Sequence, residues 1–92
     1  MITDTFAAFE SQARANGFDE MLQREWQPDT VVAEHTHSFD AHALVVRGEM
    51  WLTCAGVTRH IEKGGTFDVH RGAPHAERYG STGVSFWVAR RN

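Results

Sequence analysis

Cysteine is nearly absent from this chain of 92 residues. Cys54 stands alone, which excludes an intramolecular disulfide framework and a thiolate zinc finger. Long hydrophobic runs are missing as well, and no stretch approaches the roughly 20 apolar residues that a membrane helix requires. The opening segment carries acids and phenylalanines where a secretory leader has basic residues and then an unbroken apolar run. These absences set the expectation of a reduced, cytoplasmic setting with no membrane contact. Basic charge is also scarce. Nine Lys plus Arg against twelve Asp plus Glu leave a net charge of -3, and the basic residues are scattered, so a nucleic-acid surface is not expected. No Gly-rich phosphate loop or Gly-x-Ser-x-Gly elbow occurs, and there is no internal repeat or low-complexity tract.

What is present reads as one small globular domain. Ile2, Phe6, Phe9 and Ala13 follow the spacing of a helical stripe, with Thr3 or Asp4 placed to cap it and Gly17 to end it. Residues 1–20 therefore hold a short N-terminal α-helix expected to pack on the remainder, residues 21–92. From there the pattern turns strand-like and is punctuated by glycine. Strands are expected over Met21–Gln27, Val31–His37, Ala43–Val46, Met50–Cys54, Val57–Glu62, Thr66–Val69, Ala76–Tyr79 and Val84–Ala89. Pro28-Asp29, Ala55-Gly56, Lys63-Gly64-Gly65 and Arg71-Gly72-Ala73-Pro74 supply turns. Many short, closely spaced strands indicate an all-β sandwich or barrel.

The chemistry concentrates in Glu34-His35-Thr36-His37-Ser38-Phe39-Asp40-Ala41-His42, which holds three of the six histidines. In a strand, positions i and i+2 share a face, so His35 and His37 can present two imidazoles to one point. A third must come from elsewhere, and His75, delivered by a Gly-Ala-Pro turn, is the candidate. Three converging imidazoles suit a divalent transition metal ion such as Fe, Mn, Ni, Cu or Zn without selecting one.

Taken with the barrel pattern, the residues His35-Thr36-His37 through Gly48 resemble the first motif of small single-domain cupins. Gly64-Gly65-Thr66-Phe67-Asp68-Val69-His70-Arg71-Gly72-Ala73-Pro74-His75 is similar to the second. The resemblance covers Asp29 to Arg90 and implies a cupin jelly-roll β-barrel in which His35, His37 and His75 are metal ligands. It departs at the usual glutamate ligand, whose position falls on Ala41 counted from Gly48 and on His42 counted from His37, with Asp40 a third possibility. Each choice gives a different centre, because a one-residue slip turns a strand residue to the opposite face. His70 stands where the family usually has proline and reads as a surface residue, as does His60.

Glu34, Asp40 and Glu77 are candidates to orient the imidazoles. Trp51, Phe67 and Tyr79 are candidates to line the pocket. Cys54 shares strand parity with Met50 and Leu52 and reads as a small apolar side chain. Arg47 and Arg59 can supply a cation for an anionic substrate, or can simply occupy exposed strand positions. Two functions follow from the resemblance. One is a metal-dependent dioxygenase acting on a small molecule; the other is a non-catalytic cupin module binding a small ligand or metal. A 92-residue core gains from covering an apolar face, so a homodimer is expected.

Overall fold

Two long strands carry the architecture. The computed structural model describes residues 5–92 as one helix, α1 (Phe6–Ala15), followed by β1 (Glu20–Trp26), β2 (Val31–His35), β3 (Asp40–Cys54), β4 (Val57–Glu62), β5 (Thr66–Val69) and β6 (His75–Arg91). All pairings are antiparallel. The first part of β3 pairs with β5, the second part with β4, and β6 runs beside both parts. The end of β6 pairs with β1, and its start pairs with β2. The two long strands thus belong to both layers of a jelly-roll barrel, and no separate strand is needed to turn the corner.

The breaks expected at Arg47-Gly48-Glu49 and at Gly80–Gly83 are bends inside continuous strands. The β3–β6 register shifts between Val45 and Arg47 and again between Gly48 and Met50, so bulges redirect the chain without ending it. Gly48 and Gly83 both sit at φ +77°. A Cβ on Gly48 would lie 2.1 Å from the Gly83 carbonyl oxygen, and one on Gly83 would lie 2.6 Å from the Trp26 carbonyl oxygen. Only glycine allows three backbones to close up there. The hairpin at Ala55-Gly56 forms as expected, with φ of 53° and 77°, the pattern of a two-residue primed turn.

Strand alternation sorts the side chains. Ala43, Val45, Met50, Leu52, Ile61, Phe67, Val69, Tyr79, Val84, Phe86 and Val88 fill the barrel interior. On the outer face a second cluster joins Phe9 and Ala13 of α1 to Ala89, flanked by Phe6, Phe18, Met21, Leu44 and Trp87. This is the apolar stripe of the helix meeting the sheet. The helix is capped by Thr5, whose Oγ1 accepts from the Ala8 N–H at 3.1 Å; the expected caps Thr3 and Asp4, with Ile2, lie outside the described residues. Gly17 at φ 88° ends it. No helix among the described residues is long and apolar enough to cross a membrane.

Gly56 provides a control for the corner, because it shares the φ of Gly48 yet nothing lies within 4 Å of the point a Cβ would occupy. Gly56→Ala is expected to lose about 1 kcal/mol from backbone conformation alone. Gly48→Ala adds a backbone clash and is expected to lose roughly 2 kcal/mol more. Urea unfolding of the two variants checks this; equal losses would refute the closed corner.

Candidate metal centre

His75 opens β6 at 3% exposure, directly opposite His35 of β2. The β2 strand stops at His35 instead of running to His37, so the expected same-strand pair does not form. His37 stands in the β2–β3 loop and reaches the site by another route: the Gly72 N–H donates to the His37 carbonyl at 2.8 Å, tying that loop to the turn before His75. The ring centroids of His35 and His75 are 4.2 Å apart, those of His35 and His37 4.7 Å, and those of His37 and His75 5.0 Å. One nitrogen from each of the three lies within 4.8 Å of the other two.

Backbone carbonyls set the tautomers. His35 Nδ1 is 2.8 Å from the Ala33 carbonyl oxygen and His75 Nδ1 is 3.0 Å from that of Ala73. A carbonyl only accepts, so each Nδ1 carries a proton, and Nε2 is the nitrogen that each ring has to offer an ion. His37 Nε2 stands 3.2 Å from His35 Nε2. Burial is the main cause that lowers the His37 pKa below the ordinary histidine value, and the nearby His35, His75 and Arg90 add to it, which favours the neutral ring at this position. Two nitrogens bound tetrahedrally to one zinc, each at about 2.0–2.1 Å, stand about 3.3 Å apart. The donor set therefore fits a transition metal ion in spacing.

The structure separates the three residues considered for the fourth ligand. Ala41 faces the cavity. His42 is turned outward by strand alternation, away from the other three imidazoles, its Nδ1 2.8 Å from Asp68 Oδ1 and its ring stacked on Phe9 beneath α1. Asp40 is engaged elsewhere: its carboxylate accepts from the Arg71 N–H at 2.9 Å and faces the Arg71 and Arg91 guanidinium groups at 3.5 and 3.7 Å. These contacts, led by the Arg71 amide, hold its pKa below the usual carboxylate range. Asp40 and His37 thus stitch the β2–β3 loop to consecutive backbone amides of Arg71 and Gly72. The potential donors that the fold gathers here are His35, His37 and His75.

A cavity of about 130 Å³ opens beside the imidazoles. Glu77 lines it, with Oε2 3.9 Å from His35 Nε2, and burial raises its pKa against the opposing pull of His75 and His35. Phe67 and Tyr79 line it as expected. The Tyr79 phenol, 1% exposed, has its pKa pushed up by burial and then by Glu77, and its hydroxyl lies short of hydrogen-bond geometry with any described group. Two expected residues are elsewhere. Trp51 stands on the outer face between Arg78, at 3.9 Å, and His60, at 4.6 Å. Glu34 is exposed and does not line the cavity; the Ala33 and Ala73 carbonyls do the orienting expected of it. Cys54 sits opposite His75 in the β3–β6 register and is partly exposed.

Arg47 is engaged outside the barrel by Glu25, Ser85 and the Thr82 carbonyl, and Arg59 by the Thr66 carbonyl. The cation in the cavity wall is Arg24, with Trp26 beside it. The alternation Leu22, Arg24, Trp26 is the sequence signal for it: two apolar residues of one face flank a charge. A second cluster of potential ligands, Glu49, His60 and Glu62, lies on the exposed surface.

Neither family models nor curated proteins match this sequence. Solved structures do. An RmlC-like cupin from Shewanella frigidimarina superposes with a TM-score of 0.71 at 17% identity, over 83% of this chain and 68% of that one. KdgF from Halomonas sp. gives 0.68 at 16% identity, over 78% and 67%. A variant of oxalate decarboxylase from Bacillus subtilis gives 0.70 at 16% identity, over 76% of this chain and 20% of that one, so the chain spans a fifth of that enzyme. The likeness shows a cupin fold.

The stitching of Asp40 has a pH signature. A carboxyl held below its ordinary value contributes in full above about pH 4, the unfolded value, and loses its contribution as pH falls through the depressed folded value. Acid unfolding followed by circular dichroism is expected to show Asp40→Asn less stable than the parent at pH 7, with a shallower decline below pH 4. An unchanged acid profile would count against the role.

Proposed function

We propose that this cupin-fold chain binds one divalent transition metal ion through His35, His37 and His75 and uses it to act on a small molecule, as a dioxygenase-type enzyme. The observation that carries the reading is the convergence of three imidazoles on one point at the edge of a cavity, with the nearest carboxylate, Glu77, standing 3.9 Å from His35 Nε2. Such a set leaves coordination positions for substrate and O2, and the bound ion supplies the redox and Lewis-acid chemistry.

The chain's own residues do the rest. The Ala33 and Ala73 carbonyls keep the His35 and His75 rings aimed. Val32, Val69, Phe86 and Val88 wall the cavity and restrict water. Glu77, whose proton affinity is raised by burial, can take or return a proton at Oε2 next to the imidazoles. Phe39 stacks on His37 at 4.6 Å under the Arg90 guanidinium at 4.4 Å, which holds the loop ligand in place.

Reconstitution tests the proposal. Elemental analysis is expected to give near-stoichiometric metal in the parent protein and in His60→Ala, and at least a hundredfold weaker binding in His75→Ala, beyond the roughly 10–100-fold loss typical of outer-shell changes. Protein loaded with Fe(II) is expected to take up nitric oxide, an O2 surrogate that requires a vacant position. Metal retained in His75→Ala but lost in His60→Ala would move the site to the surface cluster, and iron that takes up no nitric oxide would contradict the enzyme reading.

A further inference from the structure

A charge at an inward strand position needs a reason. Arg24 occupies one, flanked on its face by Leu22 and Trp26, which pack against the core. Among the described residues it makes no close ion pair and no side-chain hydrogen bond; its guanidinium lies over the Trp26 ring at 5.2 Å, and its charge reaches the Glu77 carboxylate across the cavity without contact. Stacking of that kind fixes the plane of the group and leaves its N–H donors free. Two more donors near it are unspent. Trp26 Nε1 is buried without a partner, and the Tyr79 hydroxyl is buried facing Glu77 but short of a well-formed hydrogen bond to it; their rings stack at 5.2 Å, and both side chains line the same cavity. Buried donors left unsatisfied destabilise a fold unless something outside the chain accepts from them.

The β6 strand lays out the geometry. His75, Glu77 and Tyr79 follow one another on its inward face, so the cavity runs from the imidazoles past Glu77 to the Tyr79, Trp26 and Arg24 end. Between the ends, Val32, Phe67 and Val88 present apolar walls. The volume, about 130 Å³, is close to that of engineered cavities of about 150 Å³ that hold benzene, so the occupant is small. At the end away from the imidazoles Arg24 supplies the positive charge, and a divalent ion at the histidines would add to it against the single Glu77 carboxylate. A planar fork matches a carboxylate; one arginine among apolar walls is a poor match for phosphate.

We infer that the cavity takes a small carboxylic acid with a short apolar body, its carboxylate held by Arg24 with the Trp26 N–H and the Tyr79 O–H, and its other end directed at the three histidines. The inference deepens the proposed function and rests on it for the histidine end alone.

Butyrate and its uncharged isostere butyramide are the probes, read by the tryptophan indole N–H signals in the NMR spectrum of zinc-loaded and metal-free protein. The Trp26 signal is assigned with Trp26→Phe. Butyrate is expected to shift the Trp26 signal saturably and leave that of Trp51, on the outer face, unmoved. Arg24→Met is expected to weaken butyrate about tenfold or more with zinc content unchanged, Arg24→Lys to recover part of the loss, and butyramide to bind weakly throughout. Tyr79→Phe removes a hydroxyl whose contact with Glu77 is loose, so its stability is expected to stay close to the parent's while butyrate binding falls about three- to tenfold. Butyrate binding as tightly to Arg24→Met as to the parent, butyramide matching butyrate, or a Tyr79→Phe variant that is destabilised yet binds normally would each overturn the inference. If zinc does not bind, the metal reading fails, and the same shifts in metal-free protein still decide the arginine end.

Discussion

Two hydrogen bonds to backbone carbonyls determine what the site can be. By accepting the Nδ1 protons of His35 and His75, the Ala33 and Ala73 carbonyls leave each ring with its lone pair pointing at the other and at His37. His37 Nε2 lies 3.2 Å from His35 Nε2, a spacing that suits a hydrogen bond when His37 carries its proton there and a shared cation when it does not. Burial keeps His37 from taking a second proton, so its ring stays able to give a lone pair to an ion. The rings are preorganised for an ion by main-chain atoms, and a side-chain carboxylate is not needed to aim them.

The barrel makes that arrangement possible at small size. By bending at bulges and at Gly48 and Gly83, β3 and β6 serve both layers, so few residues enclose a cavity and still bring loops from opposite ends of the chain together. The Arg71 and Gly72 amides then lock the loop carrying His37 to the turn carrying His75. The interior departs from an apolar core at a few points, namely Arg24, Glu77, Tyr79 and the Trp26 N–H. All four side chains line one cavity. Local rules broken together in one place are the pattern expected of a binding site.

Much of this was legible from the residues. Turn chemistry marked the hairpin at Ala55-Gly56, and Val57–Glu62 and Thr66–Val69 form where alternation placed them. The trio His35, His37 and His75 was visible from spacing and from the resemblance to cupins. The long strands were not, because glycine signals an ending and a bend alike, and only pairing on both sides distinguishes them. His42 and Asp40 were indistinguishable from Ala41 as ligands for a related reason: bulges reset the parity on which such a count depends. Trp51 was misplaced to the interior because an aromatic residue suits either face of a sheet. Arg24 and the two orienting carbonyls escaped attention, since a main-chain oxygen has no letter in the sequence and an arginine in a strand reads by default as solvent-facing.

The central claim is that three imidazole nitrogens share one ion. Anomalous diffraction from zinc-loaded crystals tests it most directly. The account predicts a single strong peak inside the barrel, about 2.0–2.1 Å from a nitrogen of each of His35, His37 and His75. A peak confined to the surface group of Glu49, His60 and Glu62, or a barrel interior without one at saturating zinc, would contradict it.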